Sequence, residues 1–112
     1  MVTKKKAEEV YEDRSAPPRG YELVAVISPE KADEQLETRV NDISNFINQR
    51  GGVVSEVEQW GKKKLAYSIG GFAEGNYVLY RFEFDPALCK QLESNLQIAE
   101  DILRFLLIRS DG

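Results

Sequence analysis

Hydrophobic residues recur with different spacings along this chain, and each spacing predicts a different element. Leu23 to Ile27 form an unbroken apolar run of strand length, which indicates a central strand covered on both faces and ended by Ser28-Pro29. Between Asp33 and Arg50 the apolar residues follow spacings of 4, 3, 3 and 1, which predicts an amphipathic helix. These residues are Leu36, Val40, Ile43, Phe46 and Ile47. Gly51-Gly52 predicts the end of this helix.

The middle of the chain changes to the pattern of strands. Val53 to Val57 and Leu65 to Ile69 predict one strand, or two strand pieces, bent around Trp60-Gly61. The glycines that follow, in Gly70-Gly71 and Gly75-Asn76, predict the turn back. Residues 77–84 then alternate between two sides, which predicts a strand of about eight residues.

A second helix and a last strand complete the pattern. Asp85 is a typical helix N-cap residue and Pro86 suits the first helical position, so we predict a helix from here to about Leu96. Residues 102–108 are almost wholly apolar and predict the last strand. The order βαββαβ, with right-handed crossovers, favours a four-stranded antiparallel sheet with both helices on one face. This is the ferredoxin-like architecture of the α+β class.

The 112 residues suit one folded domain. Residues 1–19 mix lysines, acidic residues and prolines with almost no apolar periodicity, which is typical of a segment that cannot offset its ordering entropy. We therefore expect a flexible N-terminal tail over 1–19, a single ferredoxin-like domain over 20–110, and a short C-terminal end at 111–112.

Composition removes most catalytic chemistry. The chain has no histidine and a single cysteine, Cys89, which excludes zinc fingers, Ser-His-Asp triads, Cys-His pairs and an internal disulfide. We expect no enzyme activity, no catalytic residues, no cofactor and no metal. No apolar run approaches the roughly 20 residues that cross a bilayer, and acidic residues near the start argue against a transit peptide. We therefore expect a cytoplasmic protein without a membrane partner.

Charge is unevenly distributed along the chain. The net charge of −4 is not typical of a nucleic-acid-binding protein, so any such role must come from a local patch. Residues 61–81 provide one, with four basic residues against the single acid Glu74: Lys62, Lys63, Lys64 and Arg81. We predict that the three lysines contact RNA phosphates, assisted by Arg81 and Arg104. The alternative is that the lysines protect a sheet edge from pairing, and both roles can hold together.

Residues 58–69, Glu-Gln-Trp-Gly-Lys-Lys-Lys-Leu-Ala-Tyr-Ser-Ile, resemble a signature of the bacterial small-subunit ribosomal protein S6 family. That signature has an acidic start, Trp or Leu before Gly, a basic pair and Leu-Ala-Tyr-Pro-Ile; Ser68 stands at the proline position. Similar motifs follow the family order through residues 21–110, including Tyr21-Glu22, Gly75 to Tyr80 and Asp101 to Arg104. The resemblance implies a noncatalytic structural protein of the ribosome that binds ribosomal RNA jointly with ribosomal protein S18.

Strand alternation also predicts a surface for a protein partner. Apolar side chains are expected on the sheet face that the helices leave uncovered, with one more at the outer edge. They are Tyr77, Leu79, Leu106 and Ile108 on the face and Leu65 at the edge. The resemblance makes ribosomal protein S18 the candidate partner of a chain that is monomeric when free. Two alternatives share the fold: a free single-stranded-RNA-binding module of RNA-recognition type, and a regulatory or dimerisation domain.

Overall fold

A computed structural model describes residues 19–110 of this chain. Its elements follow the predicted order: β1 (Arg19–Ile27), α1 (Asp33–Gln49), β2 (Val53–Ile69), β3 (Phe72–Phe84), a 3₁₀ turn (Pro86–Leu88), α2 (Cys89–Ile98) and β4 (Ile102–Arg109). The first strand already begins at Arg19, the last residue assigned to the tail. The rest of the predicted tail and the C-terminal end at 111–112 lie outside the described residues.

The four strands form one antiparallel sheet in the order β2-β3-β1-β4. β1 and β3 are therefore central, while β2 and β4 are the two edges. The central position of β1 explains why its sequence is an unbroken apolar run. The ferredoxin-like prediction is confirmed.

The core lies between the sheet and the two helices. Alternate residues of the central strands, such as Leu23 and Tyr80, are fully buried on this face. The predicted stripes meet them from the helices: Val40, Ile43 and Ile47 come from α1, and Leu92 and Leu96 come from α2. The Tyr80 hydroxyl donates a hydrogen bond to the Val40 carbonyl at 2.9 Å, which satisfies this buried polar atom. Both helices thus cover one face, and we call the other the open face.

The start of the second helix differs from the prediction. Asp85 does act as a cap, since its carboxylate accepts a hydrogen bond from the Ala87 amide at 2.9 Å. The next turn, however, is 3₁₀, with the Leu88 amide bonded to the Asp85 carbonyl, and α2 begins only at Cys89. Tight turns of this kind are frequent at helix ends. The helix continues to Ile98, two residues beyond the predicted Leu96.

The predicted eight-residue strand at 77–84 was too short, because β3 has 13 residues. The chain turns at Gly70-Gly71, where both residues have positive φ, whereas Gly75-Asn76 lies inside the strand. β2 is continuous through Trp60-Gly61, with a register shift there and a φ of 81° at Gly61. β1 ends at the Ile27–Asn76 pair, so the hairpin of β2 and β3 extends past it. We call this extension, residues 62–75, the distal arm.

Candidate functional site

The three lysines lie together where the distal arm begins, on the edge strand β2. Lys63 pairs with Gly75 and faces the open side, whereas Lys62 and Lys64 pair with Asn76 and Glu74 and face the other side. All three are exposed. The arrangement presents positive charge in both directions from a sheet edge, which suits phosphate contact and edge protection equally.

Beyond Lys64 the pairing of β2 with β3 becomes irregular. Lys64 pairs with Glu74 and Ile69 pairs with Phe72, so four residues of β2, 65–68, face a single residue of β3. Extra residues of this kind bend a strand and re-aim its side chains. Tyr67 lies in this bulge, and its hydroxyl accepts a hydrogen bond from Arg104 Nη1 at 2.8 Å.

This hydrogen bond joins the two edges of the sheet. Tyr67 belongs to β2 and Arg104 to β4, and in a flat sheet of four strands these edges are about 14 Å apart. The two long side chains therefore meet on the open side and join the arm to the opposite edge of the sheet. Hydrophobic patterning carried no signal for this contact, because the residues are 37 positions apart and both are polar at their tips.

The arm also approaches β1 closely where that strand ends. Val26 pairs with Tyr77 on one side and Arg104 on the other, so it points to the open face, yet it is only 4% exposed. A Cβ atom added to Gly75 would lie 2.3 Å from Val26 Cγ1. The arm thus packs directly against β1 at this end, and the glycine allows the close approach.

Arg81, the fourth predicted RNA contact, is engaged by carboxylates on the open face. Its Nε donates to Glu22 at 2.9 Å, and its Nη1 donates to Glu56 at 2.7 Å and lies 3.5 Å from Glu58. The hydrogen bonds with Glu22 and Glu56, together with their charges, raise the pKa of Arg81. We call these four residues the glutamate cluster. Three carboxylates around one guanidinium leave a local excess of negative charge.

Trp60 extends this cluster towards the arm. Its indole nitrogen donates a hydrogen bond to Glu58 at 3.0 Å. A hydrogen bond with Glu56, the bond from Trp60 and the charge of Arg81 hold the pKa of Glu58 below its ordinary value. Glu56 and Glu58 are therefore both paired with Arg81. Strand alternation placed them on one side, but their arginine partner is 23 to 25 positions away.

The five predicted partner residues differ in their accessibility. Leu106 is 54% and Ile108 is 46% exposed on β4. Leu79 is buried, and Tyr77 and Leu65 are half-buried. Val24 pairs with both Leu79 and Leu106, so an apolar strip crosses the open face from β3 to β4. The strip and the lysines lie on different parts of the molecule.

A charged cleft lies on the helix side of the sheet. It has a volume of about 660 Å³ and is bordered by Lys31, Arg39, Asp101 and Ile98, among others. Arg39 donates to the Asp101 carboxylate at 2.9 Å, which ties α1 to the turn before β4. Sequence reasoning did not single out this pair. Within residues 19–110 no three or more His, Cys, Asp or Glu side chains are arranged so that they could hold a metal ion, and no helix there is long and apolar enough to span a bilayer.

Comparison with known proteins places the chain among ribosomal proteins. The sequence model of the family described as ribosomal protein S6 matches residues 20–109. The small ribosomal subunit protein bS6 of Moorella thermoacetica is 41% identical over 91 residues, which cover 81% of this chain and 93% of that protein. The bS6 protein of Heliobacterium modesticaldum is 38% identical and covers 83% and 97%. The crystal structure of 30S ribosomal protein S6 from Thermotoga maritima superposes with a TM-score of 0.80 at 30% identity, covering 85% and 90%.

Proposed function

This chain belongs to the ribosomal protein S6 family, and from that premise we propose that it binds small-subunit ribosomal RNA through its distal arm, jointly with ribosomal protein S18. The family consists of structural proteins of the small ribosomal subunit that are not enzymes. The chain is therefore a ribosomal protein, and its work is binding. The family match also replaces the two alternatives that were drawn from the fold alone.

The observation that carries the RNA part of the proposal is the exposed run Lys62, Lys63 and Lys64 on an edge strand. Lysines in this position can each neutralise a phosphate and release condensed counterions. Arg104 adds a fourth positive charge near the same arm, since its hydrogen-bond partner is a neutral hydroxyl. Arg81 contributes less, because three carboxylates already compensate its charge.

The apolar strip supports the partner part of the proposal. Leu106 and Ile108 remain exposed on the uncovered sheet face, and Val24 and Leu79 continue the strip inward. Uncovered apolar side chains on a sheet are typical of a binding surface. We propose that ribosomal protein S18 covers this strip, with Tyr77 and Leu65 at its margin, and that the free chain is a monomer.

The RNA contact is tested by changing all three lysines to glutamine and measuring affinity for small-subunit ribosomal RNA over a range of salt concentrations. Loss of three phosphate contacts should flatten the slope of log affinity against log salt by about 2 to 3. The variant Arg50→Gln with Lys90→Gln is the control, because it removes positive charge from the helices. Unchanged affinity and slope in the triple variant would assign the lysines to edge protection alone.

The partner surface is tested by titrating the same RNA with this protein, with ribosomal protein S18, and with both. We expect tighter binding by the pair, and we expect Leu106→Asp to abolish the gain without changing the affinity of this chain alone. Equal RNA affinity with and without the partner would contradict joint binding. A gain that survives Leu106→Asp would move the interface away from the apolar strip.

A further inference from the structure

The lysine-bearing arm has little support from the sheet. Beyond the Ile27–Asn76 pair it consists of β2 and β3 alone, and a two-stranded hairpin is only marginally stable in water. The bulge at residues 65–68 weakens it further, because the extra residues lack partners in β3. An arm that presents lysines to a fixed row of phosphates needs other contacts to hold its direction.

We propose that Tyr67 and Arg104 are positioning residues, whose hydrogen bond clasps the distal arm across the open face and so fixes the direction of the three lysines. The proposal deepens the RNA-binding function above and rests on it. In this role Tyr67 contributes through the geometry of the arm and not through contact with RNA.

Among the described residues, three of the contacts made by the arm and its root reach different parts of the hairpin. At its root the Asn76 side chain donates to the Ser28 carbonyl at 3.1 Å, and Gly75 lies against Val26. Both contacts belong to β3. Within residues 19–110, Tyr67–Arg104 is the one side-chain hydrogen bond that reaches the bulge in β2. The strand that carries the lysines is therefore held at its far side by this bond.

The hydrogen bond also has a suitable strength for this role. A guanidinium donating to a hydroxyl at 2.8 Å has good geometry, and such a bond to a charged group is stronger than a neutral one. Because the hydroxyl is neutral, Arg104 keeps its full charge on the same side of the sheet as Lys63. The pair can thus position the arm without removing a cation from its surroundings.

The test uses the full chain with Tyr67→Phe, Arg104→Gln, the double variant, and Arg50→Gln as a charge-matched control at the C-cap of α1. The first measurement is amide hydrogen exchange of the free protein. We expect each clasp variant to speed exchange in residues 62–75 by about threefold to tenfold, the double variant to add little, and the control to leave the arm unchanged. An unchanged arm in Tyr67→Phe would overturn the proposal without reference to RNA.

The second measurement is the affinity for small-subunit ribosomal RNA as a function of salt. Tyr67→Phe should weaken binding by about threefold to tenfold with an unaltered salt slope, because no phosphate contact is lost. Faster exchange in the arm with unchanged RNA affinity would refute positioning, whereas unchanged RNA affinity and salt slope in the triple lysine variant would refute RNA binding through the lysines themselves. A slope that falls in Tyr67→Phe would mean that Tyr67 contributes directly to the phosphate contact, and would also overturn the clasp.

Discussion

The same strands present apolar side chains on one face of the sheet and charged side chains on the other. On the covered face Leu23 and Tyr80 are fully buried against the helices. One residue further along, Glu22 and Arg81 meet on the open face in a cluster of carboxylates. The covered face is filled by apolar side chains, whereas on the open face acidic side chains pair with a basic one. This difference places the apolar core on one side of the sheet and the paired charges on the other.

At one end of β1 a residue of the open face is buried like a residue of the covered face. Val26 points to the open face but is as inaccessible as a core residue, and Gly75 of the distal arm approaches it closely. The open face therefore has a buried part beside the arm and an uncovered part that carries Leu106 and Ile108. Whether a side chain of this sheet is buried therefore depends on the segments that pack near it as well as on the face to which it points.

The largest effect is expected from a cavity on the covered face. Phe84 is fully buried and packs edge-on against Phe82 at a centroid distance of 5.9 Å. Phe84→Ala should lower the free energy of unfolding by about 3 to 5 kcal/mol, measured by urea denaturation. Leu106→Ala on the open face is the control and should cost about 1 kcal/mol or less. Equal losses at the two positions would break the comparison between the faces.

A smaller effect is expected where the arm lies over β1. Gly75→Ala would place a methyl group 2.3 Å from Val26 Cγ1, and overpacking of this kind costs about 1 to 3 kcal/mol in unfolding free energy. Thermal unfolding of the variant gives the measurement. The double variant Gly75→Ala with Val26→Ala should recover much of the loss, because it removes the opposing methyl groups. No rescue would show that the arm does not rest on Val26.

The smallest effect is expected from the protonation of Glu58 on the open face. Glu58 accepts the indole hydrogen bond of Trp60, the single tryptophan of the chain, so protonation of Glu58 should change its fluorescence. The lowered pKa of Glu58 means that this carboxylate stays charged to a lower pH than usual, and the fluorescence midpoint should fall below the ordinary pKa of a glutamate side chain. Glu58→Gln should abolish the transition. A midpoint at or above the ordinary glutamate value would show that the glutamate cluster does not hold in solution.

Tyr80 shows the contrasting behaviour of the covered face. Its burial raises the pKa of its phenol, and its hydroxyl is committed to the Val40 carbonyl. We therefore expect the covered face to remain protonated and silent in the pH range where Glu58 titrates.

Local patterns determined the elements and their order. The spacing of apolar residues in α1, the alternation in β3 and the apolar run of β1 each reflect which side of a single element is buried. Because such periodicity depends only on the geometry of one helix or strand, it can be followed along the sequence. The placement of Lys62, Lys63 and Lys64 at a sheet edge agrees with the edge-strand alternative that the sequence offered.

The sequence missed contacts that depend on how strands are registered. It placed a turn at Gly75-Asn76, although that glycine serves to let the arm approach Val26. It grouped Arg81 with the lysines, although Glu22, 59 positions earlier, and two glutamates of β2 surround its guanidinium. Neither contact affects the local spacing of apolar residues, so the sequence pattern does not predict it.

The chain by itself therefore determined the ferredoxin-like order of elements, the covered face and a basic run on one strand. The tertiary structure decided which charges are compensated, which open-face residues are buried and where the arm points. The physical reason is that cross-strand pairing and bulges bring together side chains far apart in sequence, as with Tyr67 and Arg104. These contacts exist only once β2, β3, β1 and β4 have taken their places in one sheet.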